Sequence, residues 1–140
     1  MSFREKTAWI MSVLLFTAGA FYAWEVIGAA LILGAAPPPS IKLAVVYLVI
    51  VIIGAIVGMG TLSAGSPEDA DAPADERERQ IIDKAGNWSG YVVAAGAIAG
   101  VLHYWTNEDG NHMFHVVIAG LMLGQIAEYV FQIVLYRRGI

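Results

Sequence analysis

The sequence predicts an all-α fold, a four-helix transmembrane bundle with both termini on the cytoplasmic side. Four long apolar runs, a composition far from that of a water-soluble domain, and a one-sided distribution of cations point to it. The runs cover residues 9–33, 41–62, 88–105 and 113–136. A helix rises about 1.5 Å per residue, so about 20 mostly apolar residues cross the hydrocarbon of a bilayer. Hydrophobic residues make up 58% of the chain and charged ones 14%, against roughly 45–50% and 25% in soluble domains. A soluble protein can bury one such run as a core helix. Four of them in 140 residues leave too little polar surface to cover them.

The cations set the orientation. With four spans, Arg4, Lys6, Arg77, Arg79, Lys84, Arg137 and Arg138 share one side, and only Lys42 lies on the other. Cytoplasmic loops collect Lys and Arg, which places both termini and the loop 65–86 in the cytoplasm, with the chain as one multi-pass membrane domain. The net charge of −4 comes mostly from the acidic middle loop and argues against direct contact with nucleic acid. The absence of cysteine excludes disulfides, thiolate metal sites and cysteine nucleophiles.

The elements follow in order. The first run is long, contains Glu25 and lacks a small-residue cleavage site, so it reads as a retained span rather than a signal peptide. Pro37, Pro38 and Pro39 break the helix, and Ser40 is the expected N-cap of the second span. Gly65, Ser66 and Pro67 end that span, and 68–74 reads as an acidic linker rich in Ala and Pro. From Asp75 charges of both signs recur at helical spacing and lead straight into the third span. Asp75 is the expected cap and Glu78 the third position of a capping box. This stretch reads either as a solvated helical turn or as an extension of about three turns that a partner grips through Glu76, Arg77, Arg79, Ile81 and Ile82. Asn107–Asn111 forms the second outer turn, with a positive φ expected at Gly110 and a cap at Asn111. Trp9, Trp88, Trp105 and Tyr136 fall at span ends as interfacial anchors, and Trp24 is placed to wall a cavity beside Glu25.

Small-residue pairs four apart mark three spans: Gly54 and Gly58, Gly96 and Gly100, Gly120 and Gly124, with Gly86 and Gly90 adding a fourth pair. Close backbone approach does much of the gluing in lipid, within one bundle or between copies of a homo-oligomer.

Glu25 lies 16 residues past Trp9, about 24 Å along the helix and so in the outer half of the bilayer. Glu128, on a helix running inward, falls in the inner half. A carboxylate inside a span is costly unless paired, protonated or wetted. Gln125, Glu128 and Gln132 share one face of the fourth helix and read first as an interhelical hydrogen-bond ladder. His103 ends the third span while His112 and His115 begin the fourth, so three histidines meet across one turn. With Glu25 closing the site from below, they are candidates to hold a divalent metal ion or to sense protons; otherwise they are interfacial side chains facing water. No Ser-His-Asp set, phosphate loop or zinc-protease helix occurs, so an enzyme is not expected.

Asp75-Glu76-Arg77, then Ile81, Lys84 and Ala85 entering the third span, resemble the signature of an uncharacterised family of small four-span prokaryotic membrane proteins. Members are often encoded beside a small helix-turn-helix regulator. The resemblance implies a binding, sensing or regulatory role toward such a cytoplasmic regulator. A narrower likeness joins Glu25-Val26-Ile27-Gly28 and Trp88-Ser89-Gly90 to short motifs of the small multidrug resistance exporters. It implies the alternative of a dimeric proton-coupled transporter using Glu25.

Overall fold

A computed structural model describes residues 1–139. The chain folds into helices α1 (Phe3–Leu33), α2 (Ile41–Gly65), α3 (Pro67–Asp71), α4 (Glu76–Asn107) and α5 (Gly110–Arg138). All but α3 are long and apolar enough to cross a membrane, the layout of a multi-pass membrane protein.

The helix ends follow from local chemistry. Ser2 caps α1 by accepting from the Glu5 N–H at 3.2 Å. Gly34 ends it in the left-handed region at φ 68°, its N–H donating to Ala30 O at 2.9 Å. Ser40 caps α2 as the sequence predicts, through the Leu43 N–H. Asp75 caps α4, with Oδ1 accepting from the Glu78 N–H at 2.7 Å. Glu78 does not complete the capping box; its carboxylate instead meets Arg4 Nε at 3.1 Å. The helix begins at Glu76 and continues without a break through the span, so the charged stretch and the apolar run form one rod.

Two turns differ from expectation. Part of the 68–74 linker is helical: Pro67 supplies the preset φ of a first helical position, and Glu68 and Asp69 favour the positive end of the helix dipole. Between α4 and α5 only Glu108 and Asp109 lie outside the helices. Glu108, not Gly110, takes the left-handed conformation at φ 54°, its N–H closing α4 onto Tyr104 O at 2.8 Å. Asp109, not Asn111, caps α5 by accepting from the His112 N–H at 3.0 Å. The turn is too short to leave Gly110 outside the helix. Asn111 is thereby freed to donate to Ala36 O in the other turn at 3.4 Å.

The helices pack in the order α4, α5, α1, α2, with the most extensive interface between α4 and α5. Gly96 and Gly120 face each other there: a Cβ built on Gly120 would lie 2.7 Å from Gly96 Cα. Gly100 receives Val117, Gly124 receives Val93, and on the α1–α2 side Gly54 and Gly58 receive Leu14 and Ile10. Gly86 and Gly90 have open space where a side chain would go, so that pair does not pack the bundle. Helix α2 is the outermost layer, with only 6% of its most apolar window buried. A run so apolar and so little covered by protein is suited to lipid.

The end of the bundle that carries both termini is closed by its own charges. Ile81, Ala85 and Leu135 form a buried cluster against Phe131 and Tyr136. Above it Arg4 bridges to Glu78 and donates to Ala72 O at 3.1 Å, while Arg77 donates to Tyr136 O at 3.4 Å. Lys84 lies 5.3 Å from the Trp88 ring centre, and Arg137 sits equally close over Trp9. This corrects the expected partner surface. Ile81 is 1% exposed and packs inward, whereas Glu76, Arg77 and Arg79 remain exposed.

Candidate metal centre and polar sites

The α4–α5 turn brings three of the chain's metal-ligating side chains together. His103, one turn before the end of α4, stacks on His112 in the first turn of α5 with ring centres 4.0 Å apart and planes inclined by 23°. Asp109 joins them, and a ligand atom from each of the three lies within 4.8 Å of the others. The short turn explains the cluster. Closing α4 at Glu108 and starting α5 at Gly110 leaves the flanking helical turns side by side.

Each donor has capacity to spare. Asp109 uses Oδ1 to cap α5, which leaves Oδ2 for a cation. Asn107 Nδ2 approaches Thr106 Oγ1 at 2.8 Å, His103 O at 3.2 Å and His103 Nδ1 at 3.4 Å. With two hydrogens for three acceptors, the longest contact is the dispensable one. Ligand atoms around a tetrahedral zinc lie roughly 3.3 Å apart, given bonds of about 2.0–2.1 Å. A spread of 4.8 Å therefore needs the two rings to turn out of their stack. His112 is exposed and has room to do so.

His115 does not belong to this cluster. Its Nε2 lies 2.9 Å from Pro37 O and its Nδ1 lies 3.3 Å from the Tyr22 hydroxyl. A carbonyl only accepts, so Nε2 carries the proton and Nδ1 accepts from Tyr22. Both ring nitrogens are committed, which removes His115 from a metal role. It works as a tie between α1, α5 and the α1–α2 turn. Tyr22 also packs edge-on against Tyr47, ring centres 6.2 Å apart, within a buried cluster that includes Ala18.

Glu25 does not close the histidine cluster from below. It lines a separate cavity of about 330 Å³ with Pro37, Ser40, Lys42 and one face of His115. Trp24 is 77% exposed and walls none of it. The predicted ladder on α5 is not formed either. Gln132 is buried, Glu128 half-buried and Gln125 exposed, and no hydrogen bond among the described residues joins them. Seven residues turn the helix only about 20° but advance it about 10 Å, so the ends of the stripe lie at different depths of the bundle and meet different neighbours.

Sequence reasoning missed Asp109 and Tyr22. Asp109 was legible as a carboxylate in the turn that joins the histidines. Tyr22, buried among apolar side chains, gave no comparable signal. Comparison of the chain with protein-family models, with curated proteins and with solved structures finds no match in any of the three.

Proposed function

We propose that the chain is a membrane protein of binding and sensing type that takes a divalent transition-metal ion, zinc above all, at the mouth of its α4–α5 hairpin. The observation that supports this reading is the convergence of His103, Asp109 and His112. Two imidazoles and a carboxylate suit borderline metals rather than calcium or magnesium, which prefer all-oxygen ligands. Three protein ligands leave a coordination position open to water or to a ligand from solvent.

The cation asymmetry supports placing the metal on the outer face of a prokaryotic inner membrane and both termini in the cytoplasm. Helix α4 then runs without interruption from the metal-bearing mouth to the exposed Glu76 and Arg79. A change at the mouth bears directly on the rod whose other end a cytoplasmic regulator would meet. Lys42 in the Glu25 cavity weighs against the transporter reading, because its charge opposes entry of a lone cation.

Calorimetry of detergent-purified, chelator-stripped protein with zinc, and visible absorbance with cobalt, test the proposal. One ion per chain at a Kd of about 1 µM or tighter is expected. The expected loss in His103→Ala and His112→Ala would assign the ligands. Binding no tighter than about 1 mM in the wild type overturns the reading.

A further inference from the structure

We propose that the α1–α2 turn and the α1–α5 groove together form a site for a phospholipid with a zwitterionic headgroup, drawn from the surrounding leaflet. Two adjoining cavities carry the inference. A groove of about 430 Å³ between α1 and α5 is lined almost wholly by apolar side chains, from Phe16 up to Val26 on one wall and from Ile126 up to His115 on the other. It extends about 15 Å along the helices. At its upper end Val26 and His115 also wall the 330 Å³ cavity that holds Glu25, Ser40 and Lys42. An apolar slot thus opens at one end onto a chamber that carries Glu25, Ser40 and Lys42 among apolar side chains.

The chamber's charges select the occupant. Neither Glu25 nor Lys42 forms an ion pair with any described residue. Glu25 lies eight residues before the end of α1 at Leu33, about 12 Å below that end. An unpaired carboxylate at that depth is costly, and a partner that brings its own opposite charge relieves the cost. A headgroup with an ammonium and a phosphate supplies both complements at once. The ammonium faces Glu25, and the phosphate faces Lys42 and the Ser40 hydroxyl, whose proton stays free while its oxygen accepts from Leu43 N. A lone cation leaves Lys42 unanswered, and an anionic lipid leaves Glu25 unanswered. His115, held by Tyr22 and Pro37, keeps the wall between chamber and groove in place.

Retention of lipid by the full-length protein in mild detergent, read by native mass spectrometry, tests the site. The probes are dioleoyl phosphatidylethanolamine, dioleoyl phosphatidylglycerol and an alkyl trimethylammonium salt. The ethanolamine lipid should be retained about tenfold over the glycerol lipid, a difference of about 1.4 kcal/mol. Glu25→Gln should bring that ratio toward one, whereas Lys42→Gln, which removes the partner of the phosphate that both lipids share, and Ala119→Phe, which fills the groove, should each lower retention of both lipids. Equal retention of the two phospholipids by the wild type, which needs no variant to fold, means ordinary boundary lipid and overturns the proposal. Equal affinity for the alkyl ammonium means a lone-cation site and overturns it as well.

Discussion

Two histidines three residues apart on one helix have opposite fates in this molecule, and their hydrogen bonds decide it. His112 stacks against His103 with its ring exposed and no side-chain partner that holds it. His115 has one nitrogen donating to Pro37 O and the other accepting from Tyr22. Replacement should separate them cleanly. His112→Ala should abolish high-affinity zinc binding with little change in melting temperature, since an exposed side chain is lost. His115→Ala should leave zinc affinity within about twofold of wild type but destabilise the protein by about 1–3 kcal/mol, because the buried Tyr22 and Pro37 lose their hydrogen-bond partner. Calorimetry and thermal unfolding on the same preparations check both outcomes. The histidines themselves were legible in the sequence as neighbours across one turn. Their division was not, because it depends on where Tyr22 and the α1–α2 turn arrive from elsewhere in the chain.

At the scale of elements, the α4–α5 hairpin is in its tightest backbone contact where Gly96 meets Gly120. Any side chain on Gly96 meets the backbone of Gly120, which cannot give way as a flexible side chain does. Gly96→Ala should therefore destabilise the protein by about 1–3 kcal/mol. Gly90→Ala, on the same helix but in open space, should be neutral or slightly stabilising through its better helix propensity. Thermal unfolding in detergent distinguishes the two. Equal melting of both variants would mean that the hairpin tolerates separation at Gly96. The spacing of the glycines was visible in the sequence, but it did not distinguish the packed Gly96 from the unpacked Gly90. Only the crossing point of the helices does that. The same holds for the charged start of α4. Its helicity was legible from the Asp75 cap and from charges spaced four apart, whereas the inward turn of Ile81 depended on Leu135 lying opposite. Arg79→Glu, at an exposed position, should leave the melting temperature within about 1 °C of wild type. In a pull-down it should lose any cytoplasmic partner captured by the wild-type chain. Retained capture would remove this face as the contact.

For the molecule as a whole, the asymmetry between its two ends matters most. The end with both termini carries all the cations except Lys42, and it is built to sit at a charged interface. Arg137 and Lys84 lie over Trp9 and Trp88, and Arg4 pairs with Glu78. Indole rings with cations above them favour the headgroup level, where one side of the ring is apolar and the other is wet. Helix α1 has 31 residues, about 46 Å at the usual rise, against a hydrocarbon core of about 30 Å. Its first turn, with Arg4 and Lys6, therefore emerges from the membrane on the cation-rich side. The expected topology has Arg138 and Asp75 in the cytoplasm and Asp109 and Pro38 outside. Reporter fusions after Asp109 and after Arg138 should give opposite compartments, with the Arg138 fusion active only in the cytoplasmic assay. Reversing Arg77, Arg79 and Lys84 together should weaken that bias, because these three are the largest single group among the seven cations on that side. Equal signals from both wild-type fusions would show insertion in two orientations. The His103, Asp109 and His112 cluster would then face both compartments, and a one-sided metal sensor would no longer be tenable.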